Sequence, residues 1–153
     1  MQQQPVIEWT CRSFDQLSAT TLYTILQLRA AVFVVEQTSI YQDLDGKDFR
    51  ALHITGTDNG QLVAYTRLLP PGISYKEPSI GRVVVASSHR AYGLGRELMQ
   101  HSMDTCQEQF EEKAIRISAQ LYLKNFYTSL GFDPVGDPYD EDGIPHIEMV
   151  KTG

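Results

Sequence analysis

Three consecutive valines, Val83, Val84 and Val85, lead within a few residues into the run Arg90-Ala91-Tyr92-Gly93-Leu94-Gly95-Arg96. Beyond that run, Leu94, Leu98, Met99, Cys106 and Phe110 recur on a helical period. No other stretch constrains the fold as strongly. A β-branched run at 79–86 reads as a buried central strand. The periodic face after it reads as a helix packed against that strand. The two glycines between them mark a tight strand-to-helix turn. A helix start leaves backbone N–H groups free and carries a partial positive charge, which suits phosphate oxygens. Arg90 and Arg96 can add charge-assisted hydrogen bonds. Taken alone, two glycines are equally compatible with a turn that holds no ligand.

The rest of the chain builds outward from this junction. Residues 6–12, with Val6, Ile7, Trp9 and Cys11, read as a first strand. Asp15 and Ser18 offer helix caps before apolar positions at Leu22, Ile25, Leu26, Val32 and Phe33. Residues 37–50 read as a long Asp-rich loop. Strands at 51–57 and 62–69 flank the hairpin turn Asp58-Asn59-Gly60. After the long helix, 114–119 alternates as a short strand, and 121–130 is a short helix stopped by Gly131. Strands at 132–135 and 144–150 close the chain as a hairpin around a long acidic connection. The order β-α-β-β-β-α-β-α-β-β predicts an α/β fold, with a mixed, partly antiparallel central sheet flanked by helices. The length of 153 residues fits one domain, with its core at about 6–151. The glutamine-rich start, before Pro5, is expected to lie outside that core.

Composition narrows the partners. The net charge of −6 argues against a nucleic-acid footprint. The N-terminus has no basic start followed by an apolar stretch, and the longest apolar run, 30–35, is far short of a bilayer span. The expectation is a cytoplasmic protein without a membrane partner. Cys11 and Cys106 stand far apart and are expected to be reduced. No His/Cys spacing supports a metal site.

The turn differs from other phosphate-binding motifs. No Gly-Lys-Ser/Thr follows it, and Leu98 stands where a dinucleotide fingerprint has its third glycine. What remains, Arg90-x-x-Gly93-x-Gly95 after a valine strand, resembles the coenzyme A signature of the GCN5-related N-acetyltransferases (GNAT family). The resemblance covers nearly the whole chain. It includes Asn125, Phe126, Tyr127, Gly131 and Phe132, then Leu28-Arg29 with Val32 to Gln37, Tyr41-Gln42-Asp43 with Asp45, Gly81-Arg82-Val83, and the tail from Tyr139 to His146. These finer features are similar to the ElaA-like branch of that family.

The resemblance implies a GNAT-like fold and acetyl-CoA as co-substrate. It also implies a primary amine of a small molecule or peptide as acceptor. The turn residues Arg90, Ala91, Tyr92, Gly93, Leu94, Gly95 and Arg96 would hold the pyrophosphate, and the backbones of Val83, Val84 and Val85 the pantetheine arm. Asn125 would bind that arm or the phosphates, or simply face solvent. Tyr127 would protonate the departing thiolate, or pack as an aromatic under its helix. Many family members place a glutamate base on the central strand, where this chain has Ser79 and Arg82. Glu36, His146 and a water relay are the replacements. Arg29, Arg67 and Arg82 are read as buried ion-pair partners. Asp43, Asp45, Asp140, Glu141 and Asp142 form either an acidic substrate mouth or solvated loops. A non-catalytic CoA-binding or protein-interaction module is the alternative to an enzyme, and a homodimer through sheet edges or the closing segment is compatible with either.

Overall fold

The computed structural model describes residues 4–153; the first three, and with them part of the glutamine-rich start, lie outside it. The elements follow the expected order. They are β1 (Glu8–Ser13), α1 (Ala19–Arg29), β2 (Leu52–Asp58), β3 (Gln61–Leu69), β4 (Ser79–Val85), α2 (Leu94–Phe110), β5 (Ile115–Gln120), α3 (Lys124–Ser129), β6 (Asp133–Glu141) and β7 (Ile144–Lys151). One seven-stranded sheet runs in the order β1-β2-β3-β4-β5-β7-β6. Every pairing is antiparallel except that of β4 with β5.

Local chemistry sets the ends of these elements. Ser18 caps α1 by accepting the Thr21 amide at 3.0 Å. Asn59 and Gly60 both take left-handed φ, as a two-residue hairpin between β2 and β3 requires. β5 alternates strictly: Ile115, Ile117 and Ala119 enter the core, while Arg116, Ser118 and Gln120 face the other side. The main core lies between the sheet and α2, where Leu98, Met99, Met103 and Cys106 are buried against Ile54, Ile80 and Ile117. Burial at about 25 cal/mol per Å² makes this face the chief source of stability. A smaller cluster on the opposite face joins Ile25 and Val32 to Tyr65 and Val84.

Two features depart from the expected layout. First, α1 continues without a break into a π-helical segment, Ala30–Glu36. There the Gln37 and Ser39 amides donate to the carbonyls of Val32 and Val34, each at 3.1 Å. Val32, Val34 and Val35 in this segment are β-branched, which lowers their preference for an ordinary α-helix. The combined Ala19–Glu36 segment has 18 residues and a mean hydropathy of 1.2, enough by length and composition alone to pass as a membrane span. Arg29 in its middle is fully buried in ion pairs with the following loop, which ties the segment to the domain. Second, the long acidic connection is itself strand. β6 runs to Glu141 and turns at Asp142-Gly143, so Tyr139 lies opposite His146 and Glu141 opposite Ile144.

The Asp-rich loop at 37–50 is a strap fixed by three arginines. Arg29 holds Asp43 and Asp48, each at 2.8 Å. Arg67 grips both oxygens of Asp45, at 2.8 and 2.9 Å, and Arg82 reaches Asp43 at 2.8 Å. Burial pushes the Asp45 carboxyl up. The Arg67 hydrogen bonds, the Lys47 amide and the charges of Arg67 and Arg82 together outweigh it and hold the group down at about 2. Asp43 and Asp45 are thus ion-paired within the fold, and Asp45 also lines the cleft described below. Removing one partner of a buried ion pair costs about 3–5 kcal/mol. Arg29→Met should lower the urea-unfolding free energy by roughly that amount; a loss under about 1 kcal/mol would show that the strap does not depend on Arg29.

Candidate active site between strands β4 and β5

The parallel pair β4–β5 holds register at one position only, Ser79 with Arg116. Beyond it the two strands splay apart. The cause lies in β4. Its register with β3 shifts between Tyr65 and Arg67, so Arg82 and Val83 together oppose Thr66 in a β-bulge. Arg82 takes φ +48°, a left-handed conformation costly for a residue with a Cβ. Its side chain offsets that cost through Asp43 and Asp45 of the strap. Behind the bulge, Thr66 Oγ1 and Ser102 Oγ of α2 lie 2.6 Å apart, both buried.

The split exposes backbone groups. The Ala86 amide donates to Val63 O of β3 at 2.8 Å. Backbone groups alternate sides along a strand, so those of Val85 and Val83 point the other way, toward the split. The Val85 carbonyl there accepts from Arg90 Nε at 3.1 Å. Val84 differs: its side chain is core, packed with Ile25 and Tyr65.

A cleft of about 380 Å³ fills the wedge. Its walls are Val83 and the bulge on one side, Ser118 and Gln120 of β5 on the other, Tyr127 of α3 at the base, and Glu141 with His146 from the closing hairpin. Tyr127 is 6% exposed. Its hydroxyl has no hydrogen-bond partner among the described residues, and burial followed by the nearby Tyr122 pushes its pKa up to about 12. The phenol is therefore protonated across the neutral range.

The glycine turn lies beside this cleft. Ser87–Tyr92 forms a 3-10 turn, and Gly93, at φ +70°, starts α2. The first-turn amides of Leu94, Gly95 and Arg96 thus precede the earliest α-helical acceptor. Leu94 is core, whereas Ala91, Gly93 and Arg96 are exposed. Arg96 donates to Ser129 Oγ of α3 at 2.7 Å and lies over the Phe126 ring. Asn125 is exposed one helical turn before Ser129, so α3 faces the helix start with this edge. Tyr92 lines a separate shallow depression with His89 and Asp58.

The proposed bases separate. Glu36 does not line the cleft. Its carboxylate forms a bidentate pair with Arg90 at 2.7 and 3.0 Å. The Arg90 hydrogen bond, together with its charge, holds that carboxyl below the ordinary range, which weakens it as a proton acceptor. His146 does line the cleft; its Nδ1 is 2.7 Å from Ile144 O and its Nε2 is 3.2 Å from Glu141 Oε2. The sequence reading missed that Glu141 contact. Its signal was the Asp142-Gly143 turn: pairing 141 with 144 puts 139 opposite 146 and Glu141 on the same face. Among the described residues no cluster could hold a metal ion.

A bulged strand parted from its parallel neighbour, followed by a glycine helix start, defines the GNAT fold. The family model for the acetyltransferase (GNAT) domain matches residues 20–153, and the chain belongs to that family. It is 45% identical to protein ElaA of Escherichia coli over 95% of this chain and 97% of that protein. The crystal structure of Escherichia coli ElaA superposes with a TM-score of 0.89, covering 95% of this chain and 99% of that one. An acyl-CoA N-acyltransferase from Pseudomonas aeruginosa, 40% identical, gives 0.91 over 96% and 100% of the two chains. Family membership implies an acyl-CoA co-substrate.

The helix start can be tested without disturbing the fold. At Gly93 a side chain would strain the left-handed backbone. At Gly95 an added Cβ meets nothing nearer than Phe126 Cζ at 3.8 Å. Gly95→Val should therefore stay folded and lose at least about tenfold in acetyl-CoA affinity by calorimetry, the effect of crowding a phosphate. Unchanged affinity in the folded variant would remove the turn from the site.

Proposed function

We propose that this chain transfers an acetyl group from acetyl-CoA to a primary amine of a small molecule or peptide, by direct attack within a ternary complex. The observation that carries this reading is the split itself. The Val83 and Val85 backbone edge turned away from β3 borders the split, and Val83 and the Tyr127 hydroxyl line the same cleft.

The pyrophosphate is assigned to the amides that begin α2, with Arg96 and Asn125 at their edge. Arg90 joins them by exchanging its Glu36 partner for phosphate oxygens. Backbone groups of Val83 and Val85 extend a sheet-like ladder to the pantetheine arm. The Val85 amide is placed to stabilise the oxyanion that develops on the thioester carbonyl, an effect worth about 10²–10³ in rate. Tyr127, held protonated by burial, donates its proton to the departing sulfur. His146 lies on the acceptor side of the cleft. Glu36 is left out of proton removal because it does not line the cleft.

A non-catalytic CoA-binding module is the second reading. It is favoured by a central strand with Ser79 and Arg82 where other family members carry a carboxylate. CoA release with a panel of polyamines, amino acids and peptides separates the two. Tyr127→Phe should lower kcat by at least about tenfold while leaving acetyl-CoA affinity unaltered. A drop in affinity with kcat preserved would make Tyr127 a packing residue.

A further inference from the structure

Glu141 and His146 are five residues apart in sequence and diagonal neighbours across the β6–β7 hairpin. His146 is buried, whereas the Glu141 side chain is 51% exposed and opens onto the cleft. The protons can be placed from the partners. Ile144 O, 2.7 Å from His146 Nδ1, can only accept, so Nδ1 carries hydrogen. In the neutral ring Nε2 then holds a lone pair, and it faces a carboxylate oxygen at 3.2 Å. A proton taken up by Glu141 can therefore be shared with Nε2 across that contact.

We propose that Glu141 is the proton acceptor for the attacking amine, and that His146 positions it and shares the proton. This rests on the acyl-transfer reading above. Other carboxylates of the cleft are less suited. Asp45 is bound by Arg67 and held at about 2. Asp142 sits in the left-handed turn and makes no contact with an imidazole. Several polar groups surround the couple. Tyr139 stacks on His146 and bonds Ser118 of β5, and Gln120 pairs in register with His146. Arg116 is engaged by Glu77 and Glu148, with Tyr75 under its guanidinium. Glu141 therefore has no arginine of its own to weaken it as a base.

The proton balance closes. An ammonium acceptor breaks one N–H bond, leaving the electron pair on nitrogen, and an O–H bond forms on Glu141. The freed pair attacks the thioester carbon, and the C–S bond breaks with its pair going to sulfur. Of the two protons nitrogen loses overall, one leaves through the Glu141–His146 couple to water. The other restores the Tyr127 phenol after it has protonated the sulfur.

The test follows CoA release from about pH 6 to 10, with a primary alkylamine from the panel that the wild type acetylates. Glu141→Gln should lower kcat at pH 7 by about 100-fold, the usual weight of a general base, while calorimetry shows unchanged acetyl-CoA affinity. The deficit should shrink toward pH 10, where alkylamines, with pKa values near 10.4, lose the proton themselves. His146→Gln should show a smaller deficit and a displaced pH profile. A Glu141→Gln deficit of the same size at every pH, or no deficit, overturns the assignment while leaving acyl transfer standing. A wild-type chain that binds acetyl-CoA and acetylates no amine ends both.

Discussion

The bulge at Arg82 is the constraint on which the rest depends. One extra residue opposite Thr66 ends the β3–β4 ladder in its simple register and turns β4 away from β5. Without it β4 and β5 would zip together, and the Val83 and Val85 backbone groups would be spent on the sheet. The left-handed backbone at Arg82 is unfavourable alone. It persists because the arginine at that position is anchored to Asp43 and Asp45, which Arg29 and Arg67 also hold. Three arginines and three aspartates thus connect helix α1, the strap and the central strand. Arg82, which with Ser79 stands on the strand where the family resemblance led us to expect a glutamate, is the residue that fixes the bulge.

The proposed chemistry is distributed over several elements of the cleft. The central strand supplies shape and backbone donors, and α3 supplies a phenol kept protonated by burial. The carboxylate and imidazole come from the closing hairpin, on the far wall of the wedge. In the proposed reaction, donor and acceptor functions therefore sit on different elements.

Much of this was legible in the sequence. The element order follows from hydrophobic periodicity and turn residues. The valine strand and Gly93-x-Gly95 marked the junction where the sheet opens, because a β-branched run and a glycine helix start are local signals. What escaped was non-local. Arg29, Arg67 and Arg82 read as ion-pair partners, but pairing them with Asp43, Asp45 and Asp48 requires knowing that the strap folds back over β3 and β4. The π-helical Ala30–Glu36 looked like ordinary helix, since its valines keep an apolar face. The first strand of the closing hairpin was read too short because 136–141, with its acidic residues, glycine and proline, carries little apolar alternation. β6 is an edge strand whose side chains are mostly exposed, so it has little core-facing pattern to show.

Amide hydrogen exchange of Val83 and Val85, measured with and without acetyl-CoA, tests the central claim most directly. Both amides face the split rather than β3. Acetyl-CoA should slow their exchange together with that of Leu94, Gly95 and Arg96 at the start of α2. Exchange at Val83 and Val85 that acetyl-CoA leaves unchanged, while it binds and protects another part of the chain, would contradict the account.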